Sequence, residues 1–305
     1  MKIIILILIV SRLFPSSFIT DIGECRLEYI IDDEKTNNSI QRIISKAARG
    51  FKTEFGHVDS RPFTVHISNT IEDFNQRTDG HAPEWSIAMA LGNPDRIILQ
   101  SPAISKTSWS RFEKIIVHEL NHICFRRMNN SYSAPAWFSE GLAMRSSGEF
   151  SIIHKITLSQ AVWKKTLYPL SRIYNMHTLS TFGIKQAYAQ SAAAVSAMVY
   201  YYDLTSLRMI FESMQNGLDF QDAFIQITGD DLLDFQEKYE LFVRQNYRWM
   251  FLLRSSNLFF VLLPLILISG FVIKRKRNKF VRKQWENEEQ LINLQSDLGE
   301  NDVEI

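Results

Sequence analysis

Val117-His118-Glu119-Leu120-Asn121-His122 is followed downstream by Pro135-Ala136-Trp137-Phe138-Ser139-Glu140-Gly141-Leu142-Ala143. The first stretch is a His-Glu-x-x-His box. It sits in a run where Phe112, Ile115, Ile116, Leu120 and Ile123 recur at helical spacing, with no Pro or Gly to interrupt them. Four residues apart on a helix, His118 and His122 lie one above the other on a single face. Two imidazoles so placed can share one metal ion, with Glu119 beside them as a general base. The second stretch offers a carboxylate, Glu140, on a short helix opening after Pro135. The 17 residues between His122 and Glu140 let the first helix finish near Met128, turn, and return with Glu140 facing the histidines. Two imidazoles, one carboxylate and an open fourth position are the ligand set of a catalytic Zn2+ ion, one per chain, rather than a structural one.

Such a centre lowers the pKa of water from about 16 to about 7. Glu119 can take that water's proton and pass it to a leaving amine. The oxygen that gains negative charge needs the metal and one or more further donors.

Working outward, 305 residues leave room for one large domain or two small ones, with ample core. A formal net charge of +1, with no basic stripe in the folded part, argues against nucleic acid as a partner. Met1-Lys2 followed by Ile3 to Val10 has the pattern of a secretory signal peptide over residues 1–24, or of a retained N-terminal anchor. Near the other end, Leu258 to Ile273 is apolar apart from Pro264, Ser269 and Gly270, and Lys274, Arg275, Lys276, Arg277, Lys279, Arg282 and Lys283 follow it. These features predict one membrane-spanning helix at 257–273, with the membrane itself as a partner. The basic cluster places residues 274–305 in the cytoplasm and the 25–250 domain outside the cell membrane.

Inside residues 25–250, Ile40, Ile43, Ile44, Ala47, Phe51 and Phe55 predict an amphipathic helix ending at Gly56. Pro62 to Ser68 alternates and is β-branched, as a strand does. A short helix at 71–77 and a hairpin of 85–91 with 96–100, turning at Gly92-Asn93-Pro94-Asp95, come next. Helices are expected at 108–128, 135–147, 152–165, 185–203, 204–215, 219–227 and 231–247. Strands first and helices afterwards give an α+β fold with a small N-terminal sheet and a mostly helical C-terminal half, plus the transmembrane helix.

The box together with Trp137-x-x-Glu140-Gly141-x-Ala143 resembles the gluzincin metallopeptidases, specifically the bacterial peptidase MA-like family of the thermolysin and alanyl aminopeptidase clan. Pro83-Glu84-Trp85, Ala88-Met89-Ala90 and Arg96 to Gln100 resemble that family's edge-strand region. Gln186-Ala187-Tyr188-Ala189-Gln190-Ser191 resembles one of its later helices. The similarity covers roughly residues 60–247. It implies a zincin-like domain in which His118, His122 and Glu140 bind zinc and Glu119 is catalytic. It also offers Tyr188 as an oxyanion donor, the alternative being a buried structural tyrosine. The family's strand carries Trp-Ala-x-Gly-x-Ala, whereas Ser86 and Ala88 stand near those places here.

If the hairpin borders the cleft, an extended peptide or protein substrate can add to its edge through backbone hydrogen bonds, which suits an endopeptidase. The competing reading is a membrane-anchored binding domain that keeps the fold without turnover. His57, His66, His81 and His154 read as surface or satisfied core histidines, and His177 as a candidate second donor. Cys25 and Cys124 are either a disulfide or two separate thiols.

Overall fold

Five strands form one sheet in the order β1-β2-β3-β5-β4: β1 (Phe14–Thr20), β2 (Gly23–Tyr29), β3 (Phe63–Ser68), β4 (Ala88–Leu91) and β5 (Arg96–Gln100). The computed structural model describes residues 14–29, 34–83, 86–128, 134–176, 179–253 and 255–300. β1 with β2 and β4 with β5 are antiparallel hairpins, while β2–β3 and β3–β5 are parallel. Parallel neighbours need crossovers. α1 (Glu34–Phe55) makes one between β2 and β3, and α2 (Ile71–Arg77) follows β3. α1 forms as its periodicity predicts, burying Ile40, Ile43, Ile44, Ala48, Phe51 and Phe55 on one stripe. β3 is central and buries Phe63, Val65 and Ile67 as well as His66 and Ser68, so both of its faces are covered.

After the sheet the domain is helical: α3 (Pro102–Ser105), α4 (Trp109–Met128), α5 (Ala136–Ser147), α6 (Ile152–Lys164), α7 (Thr181–Gln215), α8 (Phe220–Thr228) and α9 (Leu232–Tyr247). The α+β reading with a small sheet and a mostly helical body is borne out. Two differences concern boundaries. Residues 14–24 fall inside the stretch expected to be a leader, yet they lie in the β1–β2 hairpin, while residues 1–13 lie outside the described residues. The helices expected at 185–203 and 204–215 join as α7, interrupted at Asp203, whose φ of 64° and ψ of 178° are not helical. Asp203 Oδ1 accepts the Ser206 N–H at 3.0 Å, so the break doubles as the cap of the second half. Cys25 and Cys124 are buried free thiols with no disulfide between them.

One buried charge ties the end of α4 to the sheet. The Arg127 side chain is 1% exposed and donates Nε to Asp95 Oδ2 at 2.7 Å. Its Nη1 donates to the Ile22 and Asp59 carbonyls, and its Nη2 to those of Arg61 and Pro62. Its guanidinium also stands 5.6 Å from the Phe63 ring centre. Every donor direction that the planar group offers is used.

The second compact unit runs from Trp249 to the end of the chain and consists chiefly of α10 (Ser255–Glu300). It corrects the membrane-span expectation at 257–273. Among the described residues no helix is long and apolar enough to cross a membrane. Leu258 to Ile273 amounts to about 24 Å of helix at 1.5 Å per residue, against about 30 Å of bilayer hydrocarbon. It also contains Pro264, Ser269 and Gly270 and runs directly into Lys274-Arg275-Lys276-Arg277. The inside–outside topology drawn from that span loses its basis with it.

Candidate active site

α4 has two working faces. Phe112, Ile115, Ile116, Leu120 and Ile123 are buried on one, while His118 and His122 keep 14% and 17% of their side chains exposed on the other. α5 brings the third group. Phe138 is fully buried, its ring 4.7 Å from Phe220 and 5.5 Å from Phe211. Two residues on, about 200° around the helix, Glu140 is turned away from that cluster. Gly141 lets α5 press onto α7: a Cβ there would lie 2.3 Å from the Ser191 carbonyl oxygen and 2.6 Å from Val195 Cγ2. Any side chain at 141 would therefore push Glu140 out of place.

The three groups converge. Glu140 Oε2 lies 3.3 Å from His118 Nε2 and 3.6 Å from His122 Nε2, and the imidazole rings stand 4.9 Å apart, edge to face. One ligand atom from each residue lies within 4.8 Å of the others. Ligands on a tetrahedral ion with bonds of about 2.0–2.1 Å stand about 3.3–3.5 Å from one another, so the two Glu140 distances suit ligands that share one ion. The hydrogen bonding agrees. Glu140 Oε2 is buried yet has no hydrogen-bond partner among the described residues, as expected of an oxygen reserved for a cation. His118, His122 and Glu140 could thus hold a metal ion.

The surrounding charge favours a cation as well. Burial alone would raise the Glu140 carboxyl, but His122 and His118 outweigh it and hold it well below the usual carboxylate range. Burial disfavours a charged His118, yet pairing with Glu140 and Glu149 raises its pKa well above the ordinary value. Glu119 behaves differently. Burial pushes its carboxyl up, with Glu140 and Glu149 adding to the rise and the two histidines only partly opposing it. A carboxyl raised in this way is a stronger base than an exposed one.

Two positioning groups escaped the sequence reading. His118 Nδ1 hydrogen-bonds Glu149 Oε2 at 2.6 Å, and His122 Nδ1 lies 3.2 Å from Ser139 Oγ. Each contact engages Nδ1 and leaves Nε2 for a metal. Glu149 reaches its place through a glycine. α5 ends at Ser147, Gly148 turns left-handed at φ 68°, and the Gly148 and Glu149 N–H groups bond back to Arg145 and Met144. Lys114 Nζ holds the Gly148 carbonyl at 2.9 Å. A Gly followed by an acid just past the helix of Glu140 was the only signal, and it is weak. Glu149→Gln is expected to lower zinc affinity by about 10–100-fold, read by competition with a chromophoric chelator, without unfolding the chain.

Tyr188 lies on α7, half-buried. Burial first, then the negative charge of Glu140, Glu119 and Glu149, raises its hydroxyl well above the ordinary value. Its ring therefore lies within electrostatic reach of the cluster and keeps its proton. His66 is a satisfied core residue between Glu28 (3.2 Å) and Asp73 (2.8 Å). His154 accepts the Ser151 N–H at the start of α6. His177 lies outside the described residues.

No curated protein matches the chain. Among solved structures it is similar to a mutant M1 zinc metallopeptidase from Deinococcus radiodurans, at 12% identity and a TM-score of 0.41 over 73% of this chain. The match takes in 48% of that protein, so the chain spans about half its length. The family model of the peptidase MA superfamily matches residues 45–245, which include the His-Glu-x-x-His box, Glu140, Glu149 and Tyr188. With that match over about two thirds of its length, the chain belongs to the peptidase MA superfamily.

Proposed function

We propose that the chain is a zinc-dependent endopeptidase in which His118, His122 and Glu140 hold the metal and Glu119 is the general base. The observation that carries this reading is the convergence of two Nε2 atoms, whose Nδ1 atoms are held elsewhere, on one buried Glu140 oxygen that makes no hydrogen bond among the described residues. A zinc ion bound there would acidify water and polarise a substrate carbonyl.

The chain's own residues do the rest. Glu149 and Ser139 fix the two imidazoles, so no rotation is needed on loading. Glu119 accepts a proton from the attacking water and delivers it to the leaving nitrogen. The Tyr188 hydroxyl, kept protonated by its surroundings, donates to the oxygen that becomes negative. β4, the sheet edge beside α4, gives an extended polypeptide backbone groups to pair with.

The test is cleavage of an unstructured polypeptide by the full chain before and after chelation. Activity should disappear with the chelator and return with one equivalent of zinc. A zinc-loaded chain inert on a broad peptide set would leave a binding domain that keeps the fold without turnover.

A further inference from the structure

The outer edge of β4 offers its backbone groups unevenly. The Gln100 N–H donates to the Ile87 carbonyl at 2.9 Å, and β4 pairs with β5 in that same register, so residues 87, 89 and 91 face β5. Ala88 and Ala90 then turn their N–H and C=O groups outward. The far side of β5 agrees, since Asp95 and Ser101, which share the other parity, bond across to Thr64 and Ser68 on the β3 side.

Both outward carbonyls are already engaged. The Ala88 carbonyl accepts Ser86 Oγ at 2.6 Å, and the Ala90 carbonyl accepts Arg126 Nη1 at 3.3 Å. Arg126 stands one helical turn after His122 on α4, and its Nη2 also donates to the Leu91 carbonyl at 2.8 Å. The outward edge therefore runs alongside the metal helix. The N–H groups of Ala88 and Ala90 have no partner among the described residues. Ala88 keeps 9% of its surface and Ala90 is half-buried.

We infer that this edge is a donor-only template: it holds a peptide by the peptide's carbonyl oxygens and makes little use of its amide hydrogens. An open strand edge binds through both, and a residue without an N–H at a paired position loses a hydrogen bond there. Here Ser86 Oγ and Arg126 Nη1 already take one acceptor direction of each carbonyl, so a peptide N–H gains less there than on an open edge. The cleft consequently accepts peptides carrying proline or N-alkylated residues at the positions opposite Ala88 and Ala90. This specificity rests on the peptidase reading for the choice of ligand, and it concerns binding rather than turnover.

The experiment uses the full-length chain with Glu119→Gln, so that ligands survive. Random nonapeptides are screened, and the tightest binder is resynthesised with a single N-methyl group at each position in turn. Affinity should change by no more than about twofold at the paired positions. In a chain that also carries Ser86→Ala and Arg126→Met, which frees both carbonyls, the same N-methyl groups should cost about 3–10-fold, the value of one hydrogen bond at each site. Losses of fivefold or more at alternating positions with Ser86 and Arg126 in place would overturn the inference, as would the absence of any bound nonapeptide. Should the triply substituted chain fail to fold, the scan with Ser86 and Arg126 intact decides alone. Peptides that bind in this pattern but are never cut by the unsubstituted chain would overturn the peptidase reading and leave the edge intact.

Discussion

Glu119→Gln is expected to lower peptide turnover by about 10²–10⁴-fold, the range a positioned general base contributes. The exchange keeps the shape of the side chain and removes only its capacity to take a proton. Glu119 is buried beside His118 and His122, where burial and two nearby carboxylates raise its carboxyl above the ordinary range. A neutral amide in that setting relieves desolvation rather than adding to it, so the fold should hold. Zinc content measured by atomic absorption should match that of the unsubstituted chain, because Glu119 is not among the three converging ligands. Full loss of zinc in this variant would mean that Glu119 is a ligand, and unchanged turnover would mean that another group is the base.

Arg127→Met is expected to cost about 3–5 kcal/mol of stability, as when one partner of a buried ion pair is removed. Methionine fills much of the volume, but it leaves Asp95 with only the longer Arg126 contact at 3.6 Å and takes the guanidinium away from the carbonyls of Ile22, Asp59, Arg61 and Pro62. Those carbonyls belong to the β1–β2 turn and the approach to β3, and Asp95 belongs to the β4–β5 turn. The substitution therefore loosens the attachment of the metal helix to both ends of the sheet. Urea denaturation followed by far-UV circular dichroism should show the loss as a lower midpoint. A change below about 1 kcal/mol would show that water replaces the guanidinium at little cost.

The helix of the metal box, the helix of Glu140 and the β4–β5 hairpin were legible in the sequence because each carries a local signal. That signal is a periodic apolar face for the helix of the box, an opening at Pro135 for the helix of Glu140, and a Gly-Asn-Pro-Asp turn between short apolar runs for the hairpin. His118, His122 and Glu140 were legible because a four-residue spacing and a return helix leave few other arrangements. The β1–β2 hairpin was not, since Phe14 to Thr20 reads equally well as the polar end of a leader and nothing local announces its pairing with Gly23 to Tyr29. Glu149 and Ser139 were invisible for a different reason. Their roles depend on where Gly148 turns the chain and how α5 is rotated, and both are set by tertiary packing. The membrane span at 257–273 was an over-reading: composition and the basic cluster outweighed the interruptions at Pro264, Ser269 and Gly270.

Zinc K-edge absorption spectroscopy of the full chain loaded with one equivalent of metal tests the centre most directly. A site of His118, His122 and Glu140 should give two imidazole nitrogens and carboxylate oxygen at about 2.0–2.2 Å, with no sulfur near 2.3 Å. The imidazole scattering should fall by half in His122→Ala. A spectrum of six oxygen neighbours, or one unchanged by His122→Ala, would contradict it.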